Sequence, residues 1–123
     1  MDGKIKNFHD LDAWKKAHKF TLGIYAATKE FPKEETYGII SQMRRACFSI
    51  SANIAEGFSR YHYKDKIRFY HNSRGSVCEV QNFLFLARDL VFLTDKEFKK
   101  LFNVSEDINK LINGLIRSIE NQK

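Results

Sequence analysis

A single proline in 123 residues, Pro32, leaves this chain with almost nothing that obliges a helix to stop. On either side of it, apolar residues recur every three to four positions over stretches of about twenty residues, the period of helices that bury one face. The first stretch spans about residues 11–31 and carries Trp14, Ala17, Phe20, Ile24, Ala27 and Phe31. Asp10 is its expected N-cap, and Pro32 its stop. The second spans about residues 36–59, with Ile39, Ile40, Met43, Ala46, Cys47, Ile50, Ile54 and Phe58 on one stripe. The third spans about residues 64–93 on Ile67, Tyr70, Val77, Val80, Leu84, Ala87 and Val91. Thr94, with Glu97 three positions on, forms the capping box that opens a fourth helix over about residues 95–121. Ser105 and Asp107 make a kink or fraying near residues 103–107 the expected weak point of that helix.

Helices of this length measure about 30–45 Å, and breaks of a few residues force neighbours to lie side by side and antiparallel. The expected fold is therefore all-α, an antiparallel up-down four-helix bundle. It forms one domain over residues 1–123, with residues 1–9 as an N-terminal arm. A hydrophobic content of 43% supports a real core. Cys47 and Cys78 are expected as core thiols. No apolar stretch reaches the roughly 20 residues that cross a bilayer, and no secretory leader is visible, so a cytoplasmic protein with no membrane partner is expected.

The net charge of +6 is concentrated. Residues 36–75 hold Arg44, Arg45, Arg60, Lys64, Lys66, Arg68 and Arg74 against only Glu56 and Asp65, an excess of five. Residues 1–35 contribute one more, and residues 76–123 balance. Arg60, Lys64 and Arg68 are spaced by four, and Tyr61, Tyr63 and Tyr70 are interleaved with them. As a functional surface, this segment would bind phosphates with strong salt dependence. As a structural one, it would be a solvated helix face, or a patch that meets acidic residues of another subunit or partner.

Signatures of catalysis or metal binding are missing. No Glu-x-x-His pair, Cys-x-x-Cys, His-Glu-x-x-His or glycine-rich phosphate loop occurs, so no enzyme, metal or cofactor is expected. A more pointed pattern is polar. Gln42, Arg45, Ser49, Asn53, Glu56 and Arg60 recur at three-to-four spacing beside the apolar stripe of the second helix. In the third, Gly75 and Ser76 sit mid-helix with Glu79 following. A glycine there costs about 1 kcal/mol relative to alanine, which close backbone approach would justify. Solvent exposure is the bland alternative, and a helix–helix or subunit interface the functional one.

Three runs in this region carry a resemblance: Gln42-Met43-Arg44-Arg45-Ala46, Ser49-Ile50 and Asn53-Ile54-Ala55-Glu56-Gly57. Further pieces are Phe8, Leu11, Ala13 and Trp14 at the start, Phe31-Pro32 with Glu34, Tyr37 and Gly38, and Gly75-Ser76 with Glu79. Together they resemble the bacterial four-helix-bundle family first noticed as reading frames within intervening sequences of 23S ribosomal RNA. That resemblance implies up-down bundles that assemble as homopentameric rings. It also implies kinship with accessory proteins of diversity-generating retroelements, which bind nucleic acid and a reverse transcriptase. A homo-oligomer that binds RNA or DNA without base specificity is the leading expectation. An adaptor or assembly scaffold for a protein partner is the other. Tyr61-His62-Tyr63 departs from the short polar turn usual in the family.

Overall fold

The computed structural model describes residues 4–122, so the first three residues of the expected arm, and Lys123, lie outside the described residues. Four helices account for most of the chain: α1, Asp12–Thr28; α2, Ser41–Ser59; α3, Tyr63–Asp89; and α4, Asp95–Gln122. No strand occurs among the described residues. Cross-helix contacts set the relative directions. On α1 and α2, Thr21 meets Cys47 and Thr28 meets Arg44. On α3 and α4, Arg74 meets Asn113 and Gln81 meets Ser105. In both pairs the residue number rises along one helix as it falls along the other, so these neighbours are antiparallel. The core between them is aliphatic, with Ile24, Met43, Ile50, Ile54, Val77, Val80, Leu84, Ile108 and Ile112 fully buried.

The helix ends differ from expectation in instructive ways. Asp10 does not cap α1. Its carboxylate accepts the backbone N–H groups of Lys6 and Asn7, closing a 3-10 turn over Phe8–Asp10. Those two hydrogen bonds favour the ionised form and hold its pKa below the usual carboxylate value. α1 ends at Thr28 rather than Phe31, because Phe31 turns inward ahead of Pro32 and packs against Phe92 at 5.3 Å. Between α1 and α2 the chain passes through a 3-10 turn, Lys33–Glu35, and a π-type turn, Thr36–Ile40, in which Gly38 leaves helical geometry. The second helix proper thus begins at Ser41, five residues later than the expected start near residue 36.

α3 stops at Asp89 in a Schellman turn: Phe92 N–H donates to Ala87 O at 2.8 Å, and Val91 N–H to Arg88 O at 2.9 Å. Val91 takes the left-handed position there, with φ 63°, where glycine is usual. The capping box is as expected, with Thr94 N–H donating to Glu97 Oε1 and Glu97 N–H to Thr94 Oγ1. α4 neither frays nor kinks near residues 103–107. Ser105 is buried there, donating to Phe102 O and accepting from Gln81, which ties the suspected weak point into the α3–α4 contact. Cys78 is exposed, one position off the buried Val77 stripe, and only Cys47 is a core thiol.

Candidate nucleic-acid interface

The turn between α2 and α3 is held closed by small and polar groups. Gly57 lies so near the buried Tyr70 that a Cβ there would stand 2.7 Å from the ring. Ser73 Oγ, fully buried on α3, donates to Ile50 O of α2 at 2.7 Å. Lys66 reaches back to the end of α2, its Nζ donating to Phe58 O at 2.7 Å and Gly57 O at 3.4 Å. It thus gives Phe58 O a partner and adds a second donor to Gly57 O, which already accepts the Arg60 N–H, at a helix end where positive charge is favoured. Partial burial lowers its pKa from the ordinary lysine value.

With the elbow fixed in this way, the seven basic residues separate into two groups. Arg44 is half-buried: Nε donates to Thr28 Oγ1 at 2.8 Å, Nη2 to Tyr25 O, and the guanidinium packs 4.4 Å from the Tyr25 ring. Arg74 donates to Asn113 Oδ1 of α4 at 2.8 Å and contacts His71. These two, with Lys66, join helices to one another. Arg45 and Lys64 are exposed. Arg60 and Arg68 both bring their guanidinium groups to the Phe69 ring, at 4.7 and 4.5 Å. Arg60 also pairs with Glu56 at 2.6 Å, and Arg68 lies 4.0 Å from Asp65. Sequence spacing placed Arg60, Lys64 and Arg68 on one helical face. Arg60 in fact lies outside α3, yet a shared ring brings it to Arg68.

The tyrosines also separate. Tyr70 packs inward, and its burial pushes the phenol up to about 12. Tyr61 is 88% exposed at the tip of the elbow, edge-on to His62, and Tyr63 is exposed beside it. The elbow therefore presents cations around aromatic rings, a combination suited to phosphate contact and base stacking.

The polar stripe of α2 lies on the surface. Ser49 Oγ donates to Arg45 O, Asn53 Nδ2 to Ser49 O, and Gln42 and Glu56 are exposed. These bonds stay within α2, so Asn53 and Ser49 fix no register between helices of one chain. On α3, Gly75 and Glu79 are exposed and Ser76 half-buried. A Cβ at Gly75 would meet nothing within 4 Å, so no close approach inside the chain accounts for this glycine. Sequence reasoning missed several exposed apolar residues: Tyr37, in the turn between α1 and α2, is 95% exposed, and Leu22 within α1 and Phe48 within α2 about half so. Phe48 stands one position off the buried stripe, the only signal available. No group of three or more His, Cys, Asp or Glu able to hold a metal occurs among the described residues, and none of their helices is long and apolar enough to cross a membrane.

The family model described as 23S rRNA-intervening sequence protein matches residues 9–114. Among solved structures, the chain is similar to a protein of unknown function from the S23 ribosomal protein family of Bacteroides thetaiotaomicron. The TM-score is 0.78 at 23% identity, over 85% of this chain and 95% of that one. At that identity the likeness concerns the fold. Comparison with curated proteins gives no match.

Proposed function

Because the chain belongs to the 23S rRNA-intervening sequence protein family, we propose that it is a non-enzymatic homo-oligomer that binds RNA or DNA without base-specific readout. The observation that carries this reading is the elbow, where Arg60 and Arg68 both lie over Phe69, with Lys64 and Tyr61 exposed on the same turn. Cations track a phosphate backbone, and an outward ring stacks on any base because every base has a π-face. Arg45 extends the cationic surface along α2.

Assembly is part of the same reading. One elbow offers few charges, whereas copies around an axis sum their potentials and gain avidity without new contacts. The Gln42–Glu56 part of the α2 stripe and the Gly75-Ser76 step with Glu79 are the surfaces proposed to meet in the oligomer, a pentamer by family likeness. Fluorescence anisotropy with a structured RNA and a single-stranded DNA tests the binding. Affinity is expected to fall steeply between about 50 and 200 mM salt, and reversing Arg60, Lys64 and Arg68 to glutamate should abolish it with helicity intact. A flat salt response, or no binding at the lowest salt, overturns the reading. Light scattering tests assembly, since a monomer of 14.4 kDa would contradict it.

A further inference from the structure

On a different side of the bundle, α1 and α4 leave between them an open groove of about 930 Å3. Its floor is apolar, formed by Phe20 of α1 and Leu101, Val104 and Leu111 of α4. Its walls are cationic. Lys15, Lys16 and Lys19 stand along α1, Lys100 and Lys110 along α4, and only Asp12 and Asp107 oppose them. Lys16 and Asp107 reach across the gap to 3.7 Å, a solvent-exposed pair that holds weakly. On each helix the lining residues span twelve positions, eleven helical rises, which gives the groove a length of about 16 Å.

Gly23 completes the lining from the α1 side. It lies inside a helix, where glycine is the poorest residue but proline, and a Cβ there would meet nothing within 4 Å. Packing within the chain therefore gives no reason for a glycine at this point. A backbone approaching from outside would, since a missing side chain lets two helices come close.

We propose that this groove docks an acidic amphipathic helix of a partner protein. The apolar floor takes the leucine-type face of such a helix, and the lysines on both walls pair with carboxylates flanking that face. Helix-in-groove recognition has this form. The groove is open to solvent and crossed only by the weak Lys16–Asp107 pair, which a docking helix would displace, so it does not enclose a small molecule as ligand pockets do. It shares no residue with the elbow, so this inference goes beyond the nucleic-acid reading and stands or falls separately from it.

The test uses the full chain and a labelled synthetic peptide of about 18 residues, five helical turns, with leucines on one face and glutamates on the rest. The control peptide has lysines in place of the glutamates. The acidic peptide is expected to bind, and the basic one not. Gly23→Leu projects a bulky side chain from a point where a Cβ meets nothing within 4 Å, and should weaken binding at least about tenfold while circular dichroism stays unchanged. Lys15→Glu with Lys19→Glu should do the same. Arg45→Glu with Lys64→Glu, an equal change of charge at the other surface, should leave the peptide bound. Equal losses from both charge reversals would reduce the effect to net charge and overturn the proposal. So would undiminished binding to the Gly23→Leu chain, or no binding at low salt. A native oligomer that Gly23→Leu breaks into monomers would overturn it too, by assigning the groove to a second copy of this chain.

Discussion

Arg60 and Arg68 approach one ring, that of Phe69, from the two sides of the turn that joins α2 to α3. The ring holds together two like charges that would otherwise repel, at about 0.5–1 kcal/mol for each exposed cation–π contact. Phe69→Leu keeps the apolar bulk and removes the π-face. Nucleic-acid affinity should fall a few-fold, while the slope of affinity against salt stays the same because the number of charges is unchanged. Titrations at several salt concentrations check this, and a slope reduced as far as that of Arg60→Glu would contradict it.

Two glycines on neighbouring helices should respond oppositely to alanine. At Gly57 the new methyl would lie 2.7 and 2.9 Å from Tyr70 ring carbons and 3.1 Å from Phe69 Cβ. The Tyr70 ring is buried and has nowhere to swing, so Gly57→Ala should cost about 1–3 kcal/mol in spite of better helix propensity. Gly75→Ala meets nothing and should gain about 1 kcal/mol in urea unfolding of the single chain. Light scattering on the same variant reports whether a subunit needs that space, since the mass should then drop.

The left-handed Val91 that ends α3 is a β-branched residue in a conformation that costs about 1–2 kcal/mol for any side chain. It is 84% exposed, so it returns little of that in packing. Val91→Gly should raise the melting temperature by roughly 4 °C or more, which calorimetry would read directly. A decrease would show that the valine makes a contact outside this chain.

The two thiols should behave differently. Exposed Cys78 should react with a thiol reagent at pH 8, and Cys47 only on unfolding. Burial pushes the Cys47 thiol up to about 11, opposed only by its hydrogen bond to Thr21. In the unfolded chain the same thiol ionises near 9, so between pH 9 and 11 the unfolded state holds fewer protons than the native one. Stability should therefore fall as pH rises through that window, by roughly 2–3 kcal/mol at its upper end. Cys47→Ala should remove the part of this decline that begins near pH 9 in denaturant midpoints, leaving the later part that the raised Tyr70 phenol produces above about pH 10.

What the sequence discloses depends on how far apart the partners lie. Thr94 and Glu97 cap one another across three positions, and their box was legible without a structure. The apolar stripes were equally plain, because helical period is local. Arg44, Lys66 and Arg74 looked like surface charge, since nothing near them in sequence claims them. Their partners are Thr28, the Gly57 and Phe58 carbonyls, and Asn113, which only folding brings close. Val91 gave no warning either, because a left-handed helix end is recognised by glycine, and none is there. Cys78 missed the core by one position, an error of 100° around the helix.

The contact between Gly57 and Tyr70 bears on how this family's sequences drift. A position where no methyl fits is closed to mutation for as long as an aromatic ring stays opposite it, whatever the protein binds. Relatives that keep a tyrosine or phenylalanine at the place of Tyr70 should keep glycine at the place of Gly57, and those that lose the ring should be free to lose the glycine. A glycine kept at that step would then be testimony to packing, and the residues whose variation tracks ligand or partner should be sought at Tyr61, Lys64 and the lysines of the α1–α4 groove.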